Sequence, residues 1–458
     1  MFRKLKLVSI ILIMFVCSLN TKAFSLLGPL AGWQTTELSY GLSGDIGGPM
    51  QIGEFYRWNV PVITYAFDAS FINFFGAYGI KAVEDAIKVF NDLPPASQID
   101  LQKYPLSAYR LNSKARSLLL TDMKTFIMAE LLQELGLAQP ERFTWCLRDH
   151  WHETVGDQDV RYYWVIKRNF DPDTFEPSSY VNGTLYTYQI VHSATPHQAD
   201  AVEYSVDPLK PTYTSLAGLY QMLGYYAMNL TRDDVGGLRY LLRRQNVVVE
   251  TLVSNVIGGL NFPWVPVGYS NYIGTNFLGL TNIISGTNYV NAAYRGGIEK
   301  IIFRRVEYDP VLNQIPNAIT NSYNDRYSTN GVTWSEQPIQ LINYAPDIVF
   351  SAADLGFSDH SPLADLKTDA ANWVNNSAIN APGNAQNTFG PGIITSPIRI
   401  TLQKLGPIYY NVMETTEADS IPGMNFFFVW GSFDGSTNEP IVYPSSRSWR
   451  ELEKILGY

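Results

Sequence analysis

Apolar positions along the chain change period several times, and each change predicts an element. Val62-Ile63-Thr64-Tyr65-Ala66-Phe67 is a β-branched and aromatic run that reads as a strand. Ile80, Val83, Ile87 and Phe90 then recur at helical spacing, and Pro94-Pro95 stops the helix. A stronger helix is expected from Asn112-Ser113, either of which can cap it, to Gly136 as the terminal glycine. Leu120, Met123, Ile127, Leu131 and Leu135 form its stripe. Strand periodicity takes over in Arg142–Trp151, Val160–Ile166 and Thr184–Val191, with Gly156-Asp157 and Asp171-Pro172-Asp173 in the loops between. Leu216, Leu219, Leu223 and Tyr226 predict another helix. Thr231 with Asp234 opens a further one through a capping-box start, running to about Gln245.

Beyond Val247, Gly, Asn, Tyr and Pro dominate up to about Pro407, with short strands expected at Ile298–Val306, Ile348–Ser351 and Ile398–Leu402. A strand at Asn425–Phe433, a turn at Asp434-Gly435 and a short helix capped by Ser446 or Ser448 close the pattern. No period of about 20–50 residues recurs, which disfavours a solenoid or propeller. The pattern predicts an α+β protein. A mixed helix and sheet domain over 24–250 is followed by a mainly β domain over 255–458.

Composition changes this picture at the N-terminus. Met1–Lys6 is basic, Leu7–Leu19 is apolar, and Thr21-Lys22-Ala23 is a small-residue cleavage site, so residues 1–23 read as a signal peptide. Its removal leaves 29 basic against 42 acidic side chains, a balance of −13. Phosphate binding needs a cationic face, so no nucleic-acid partner is expected. The apolar run is too short for a bilayer, which takes about 20 residues, and no transmembrane span is expected in the mature chain. Periplasmic, cell-surface and extracellular locations all remain open. Of the two cysteines, Cys17 leaves with the signal. Cys146 follows Trp145 in an apolar run and reads as a buried thiol with no disulfide partner in the chain.

The chain lacks a Gly-x-Ser-x-Gly elbow, a phosphate-binding Walker loop, a Gly-x-Gly-x-x-Gly turn and a Cys-x-x-Cys pair. Three separated segments carry a resemblance instead. Ile63–Asp68 with Ala82-Val83-Glu84-Asp85-Ala86 resembles the opening strand and helix of a matrixin-type metzincin protease. Ala129-Glu130-Leu131-Leu132-Gln133-Glu134-Leu135-Gly136-Leu137 resembles the zinc helix of that family. Leu230-Thr231-Arg232-Asp233-Asp234-Val235-Gly236-Gly237-Leu238 resembles the opening of its closing helix. The resemblance implies zinc ligands at Ala129, Gln133 and Gln139, and only Glu130 matches, at the general-base position. Alanine has no donor atom, and a Gln carbonyl is a poor zinc ligand beside imidazole. A carboxylate without a metal to acidify water does not run this hydrolysis at neutral pH. The segment therefore suggests a zinc-less relative or an ordinary amphipathic helix. Over its whole length the chain also resembles exported bacterial proteins, which adds no activity.

Two other groups are candidates for metal chemistry. On a strand, His150 and His152 point to one face, as a His-x-His metal pair requires, with Glu153, Asp157 or Asp159 as third ligand. Asp171, Asp173 and Glu176 space carboxylates around a turn in a way that suits calcium, and Asp434–Glu439 is a looser version. Exposed side chains of a strand end and of acidic turns account for the same residues. The aromatic, Asn- and Gly-rich second half suggests a glycan-binding surface, because aromatic faces stack on sugars. No cofactor is expected. The sequence reads as an exported, non-catalytic binding or structural protein with a protein or glycan partner. The competing reading is a metal-dependent or carbohydrate-active hydrolase.

Overall fold

The computed structural model describes residues 22–28, 33–35, 38, 49–156, 158–192, 199–211, 213–217, 223–258, 289–353, 372–375, 391–404 and 429–444. These form a mixed structure with few helices and many strands, in keeping with the α+β class. The expected signal segment up to residue 21, the expected helix at Ser446 or Ser448, and Asp157 lie outside the described residues.

Val62–Phe67 is a strand, as its β-branched and aromatic composition predicts, and it lies inside a four-stranded parallel sheet. The sheet runs Ile302–Arg305, Val62–Phe67, Ile348–Ala353, Ile398–Gln403 in spatial order. Strands covered on both faces need continuous apolar runs, and Phe67 and Phe350 stack here at 5.5 Å between ring centroids. The helix Ala69–Asn91 follows at once. Asp68 caps it by accepting the Phe71 N–H, and Phe71, Phe75, Val83, Ala86 and Phe90 form its buried face. Gly76 takes a positive φ of 60° and kinks it.

The expected division between 24–250 and 255–458 is not a division of the sheets. Val62–Phe67, from the first half, is flanked on both sides by strands from the second. Tyr56–Arg57 pairs with Gly392–Thr395, and Leu120–Asp122 pairs with Val429–Ser432, both parallel. Thr64 and Asp347 lock this arrangement, with the Thr64 N–H and hydroxyl both 2.7 Å from the same Asp347 oxygen. Composition does shift near residue 250, but parallel partners are always distant in sequence, so the shift does not mark separate cores. Every regular element among the described residues beyond 255 is a strand. The largest sheet there is antiparallel, in the order Val248–Glu250, Ala293–Arg295, Ile319–Ser328, Ser335–Asn343, Val256–Gly258.

Two expected helices are corrected. The stretch from Asn112 to Gly136 is a short helix Ser113–Ser117, a strand Leu120–Asp122 and a second helix Met123–Glu134. Leu119 adopts φ 53°, which breaks the helical path, and Asp122 then caps the second helix through the Thr125 N–H. That helix is buried almost all round rather than along one stripe, with the helix Ala69–Asn91 and the strand Val429–Ser432 both packed on it. Trp430, fully buried, meets Phe126 at 4.9 Å in an edge-on contact. Gly136 ends the helix at φ 100°, and an added Cβ would sit 2.3 Å from the Tyr56 carbonyl oxygen, so only glycine fits. Within the expected helix from Leu216 to Tyr226, Tyr225 and Tyr226 belong to the strand Tyr225–Ala227, paired with Tyr109–Leu111. Backbone pairing overrides the apolar spacing there.

A smaller lobe stands on this body. The hairpin Cys146–Val155 with Gln158–Ile166 packs beside the pair Thr184–His192 with Ala199–Ser205. Leu147, Ala199 and Ala201 with Tyr163, Val165, Tyr188 and Ile190 make a core separate from the main one. Cys146 is fully buried at the root of this hairpin.

Candidate functional site

The helix Met123–Glu134, where zinc-ligand positions were expected, is mostly buried. Ala129 is fully buried, and Gln133 donates from Nε2 to the Ala217 carbonyl at 3.2 Å. Gln139 is half-buried beyond the strand Leu137–Ala138. Glu130 is 2% exposed and its Oε1 has no hydrogen-bond partner. Burial, with the Glu134 carboxylate one turn away, pushes its pKa well above the ordinary range. A carboxyl sealed in the core cannot reach a substrate as a general base.

The next helix, Arg232–Leu242, begins with the predicted capping box. The Thr231 hydroxyl and the Asp234 carboxylate each bond the other residue's backbone N–H. The structure adds two acids that spacing did not single out as partners. Asp233 accepts from the Ala23 N–H at 2.8 Å and the Asn182 N–H at 2.5 Å. Glu141 accepts from the Thr214 and Ser215 N–H groups at 2.8 Å each. Burial comes first in raising the pKa of Asp233, Asp234 and Glu141, and the donated bonds offset it in part. These acids hold loops to the body, a structural use of charge. Asp233 secures the turn Asn182-Gly183, with φ of 45° and 80° between Tyr180–Val181 and Thr184–His192, while Glu141 and Asp234 hold the segment 214–217. The Asn-Gly dipeptide of that turn was a legible hairpin signal.

The acidic turn at 171–176 does not form an oxygen cage. Asp171 Oδ1 accepts from the Asp173 and Thr174 N–H groups, both at 2.9 Å, in an Asx-turn. Asp173 points instead to Lys22, at 2.8 Å, and to Arg239. Partial burial works to raise its pKa, but those two cations outweigh it and the carboxyl lies below its ordinary range. Glu176 is exposed, and its backbone carbonyl accepts from the Asp171 N–H. In the looser turn, the Asp434 carboxylate accepts from the Ser436 N–H, while Glu439 pairs with Lys114.

His150 and His152 do share a face of the first hairpin, opposite Tyr163 and Arg161. Arg161 is a poor neighbour for a cation site. With partial burial and His150, it lowers the pKa of His192 at the end of the neighbouring strand. Among the described residues no group of three or more His, Cys, Asp and Glu side chains is gathered as a metal site.

The other face of the same hairpin has a different character. Cross-strand register sets Trp151 against Tyr162 and Asp149 against Trp164, with Glu153 two positions on from Trp151. Trp151 is 46% exposed, Tyr162 37% and Trp164 55%. The Trp151 and Tyr162 rings lie 5.4 Å apart and within 13° of parallel. Asp149 and Glu153 are exposed on this same face. Three exposed aromatic side chains with carboxylates beside them form an open, amphipathic strip. The period-2 placement of Tyr162 and Trp164 is readable from the sequence, but their exposure is not. This exposed ring pair also lies in the first half of the chain, not in the Tyr- and Asn-rich second half where a glycan surface was expected. No protein-family model, no curated protein and no solved structure matches the chain.

Proposed function

We propose that this chain is an exported, non-catalytic binding protein that takes a neutral polysaccharide on the outer face of its first hairpin. The exposed strip of Trp151, Tyr162 and Trp164 carries the reading. Aromatic faces cover the C–H faces of sugar rings, and carboxylates such as Asp149 and Glu153 accept from sugar hydroxyls. The same carboxylates repel anionic polymers, as does the acidic balance of the chain, −9 with its first 23 residues and −13 without them. Export rests on the basic, apolar and small-residue order of those residues. Ala129, Gln133 and Gln139 at the zinc-ligand positions, and a Glu130 sealed from solvent, support a role without catalysis.

Binding of the purified chain to cellulose, laminarin, mannan and the anionic polygalacturonate tests this. Saturable binding to a neutral polymer, lost in the Trp151→Ala, Trp164→Ala double variant with its melting temperature kept, is the expected result. Preference for polygalacturonate, or undiminished binding by the double variant, would overturn it. One equivalent of tightly bound zinc in the purified protein would overturn the non-catalytic part.

A further inference from the structure

A separate cavity lies where the first hairpin meets the N-terminal segment. Its volume is about 200 Å³, and Trp33, Gln34, Pro49, Met50, Glu54, Arg148 and Arg168 line it. A water's share of liquid volume is about 30 Å³, so the space fits a small molecule and excludes a polymer. Two of the seven lining residues are arginines, whose guanidinium groups present paired N–H donors. The Arg148 guanidinium carbon sits 4.3 Å from the Trp33 ring centroid, a cation–π contact that holds it in place.

Arg168 supplies the second observation. Its Nε is buried and has no acceptor, although its Nη1 reaches the Lys167 carbonyl at 3.4 Å. Guanidinium most strongly favours a planar, paired acceptor, and among the described residues no carboxylate pairs with that of Arg168. Glu54, the carboxylate on the wall, is already engaged through Oε2 with the Gln51 N–H at 2.7 Å. The rest of the wall includes the apolar Met50 and the Trp33 ring. We infer that the cavity is a binding site for a small monocarboxylate, with its carboxylate on Arg168 and its apolar body against Met50 and Trp33. The site is independent of the hairpin's outer face, so either proposal stands if the other fails.

Isothermal titration of the full chain with benzoate, benzamide and inorganic phosphate tests the inference. Benzoate should bind at one site, at least about tenfold more tightly than its uncharged isostere benzamide. Arg168→Gln should weaken benzoate by about tenfold or more, and Arg168→Lys by less. Glu54→Gln, which removes the carboxylate from the wall, should tighten it, a gain that damage to the fold does not produce. Absence of benzoate binding by the wild-type chain, equal binding of benzamide, or binding of phosphate alone would overturn the assignment.

Discussion

The body around the helix Met123–Glu134 and the lobe built on the hairpin Cys146–Ile166 use the same residue types in opposite ways. In the body, carboxylates are buried and consumed. Glu250 meets Arg57 at 2.8 Å with both side chains at most 1% exposed, and Asp233, Asp234 and Glu141 bind loop backbone. Aromatic rings there, such as Phe75 and Trp430, fill space inside the core. In the lobe, Asp149, Glu153, Trp151 and Trp164 face solvent and hold nothing together that the lobe's small core does not already hold. Acids and aromatics in the body therefore report on stability, and those on the hairpin's outer face are the ones the proposed function assigns to recognition. Residue type alone does not distinguish the two uses.

The sharpest break is expected at Glu250. Arg57 also donates to the carbonyls of Leu241, Asn246 and Arg295, so Glu250→Ala leaves a guanidinium buried and fixed without its counter-charge. The loss should be about 3–5 kcal/mol by urea unfolding. The unfolding should remain one transition for both halves of the chain, because they share the parallel sheet. A second, unaffected transition would restore the two-domain reading.

Asp122 is expected to shape the pH dependence of the body. Burial pushes its carboxyl up to about 6 from an ordinary 3.8, with hydrogen bonds from Thr125 opposing. The folded chain holds this proton where the unfolded chain has released it. The contribution is thus fully present below pH 3.8 and lost as the pH rises through about 6. At about 1.4 kcal/mol per pH unit, the loss is roughly 3 kcal/mol across that window. Asp122→Asn keeps the helix cap and removes the titration, so its unfolding free energy should vary less between pH 4 and pH 6. An equal slope in the variant would assign the dependence to the other buried acids.

A smaller effect is expected at the capping box. Thr231→Ala removes the cap of Arg232–Leu242 and an acceptor for Asn182 Nδ2 at 3.1 Å, and should cost about 1–2 kcal/mol. The lobe gives the smallest change. Trp164→Ala should leave stability within about 0.5 kcal/mol while weakening polysaccharide binding several-fold, because the side chain is 55% exposed. A large loss of stability would make the ring part of the fold and sink the contrast with the body.

Local features were legible in the chain wherever the cause is local. Thr231 and Asp234 announced their capping box, Gly136 its helix end, and the run Val62–Phe67 its strand. The same reasoning failed where a distant partner decides. Nothing near Leu120–Asp122 indicates a strand until Val429–Ser432 lies beside it. Nothing near Tyr225 and Tyr226 indicates extended backbone until Tyr109–Leu111 pairs with it. The candidate site was half-legible. Tyr162 and Trp164 alternate as strand residues should, yet their exposure depends on which hairpin face the neighbouring strands cover.

By itself, the sequence determined the acidic balance, the strand-rich α+β character, the caps, and the absence of histidine from the zinc-like positions Ala129, Gln133 and Gln139. These follow from side-chain chemistry and from bonds that close over a few residues. Only the tertiary structure decided that the two halves share one sheet, that Glu130 is sealed away, and that the Trp151 and Tyr162 rings lie parallel in the open. Those outcomes depend on which surfaces are buried together, a property of contacts between segments far apart in the chain.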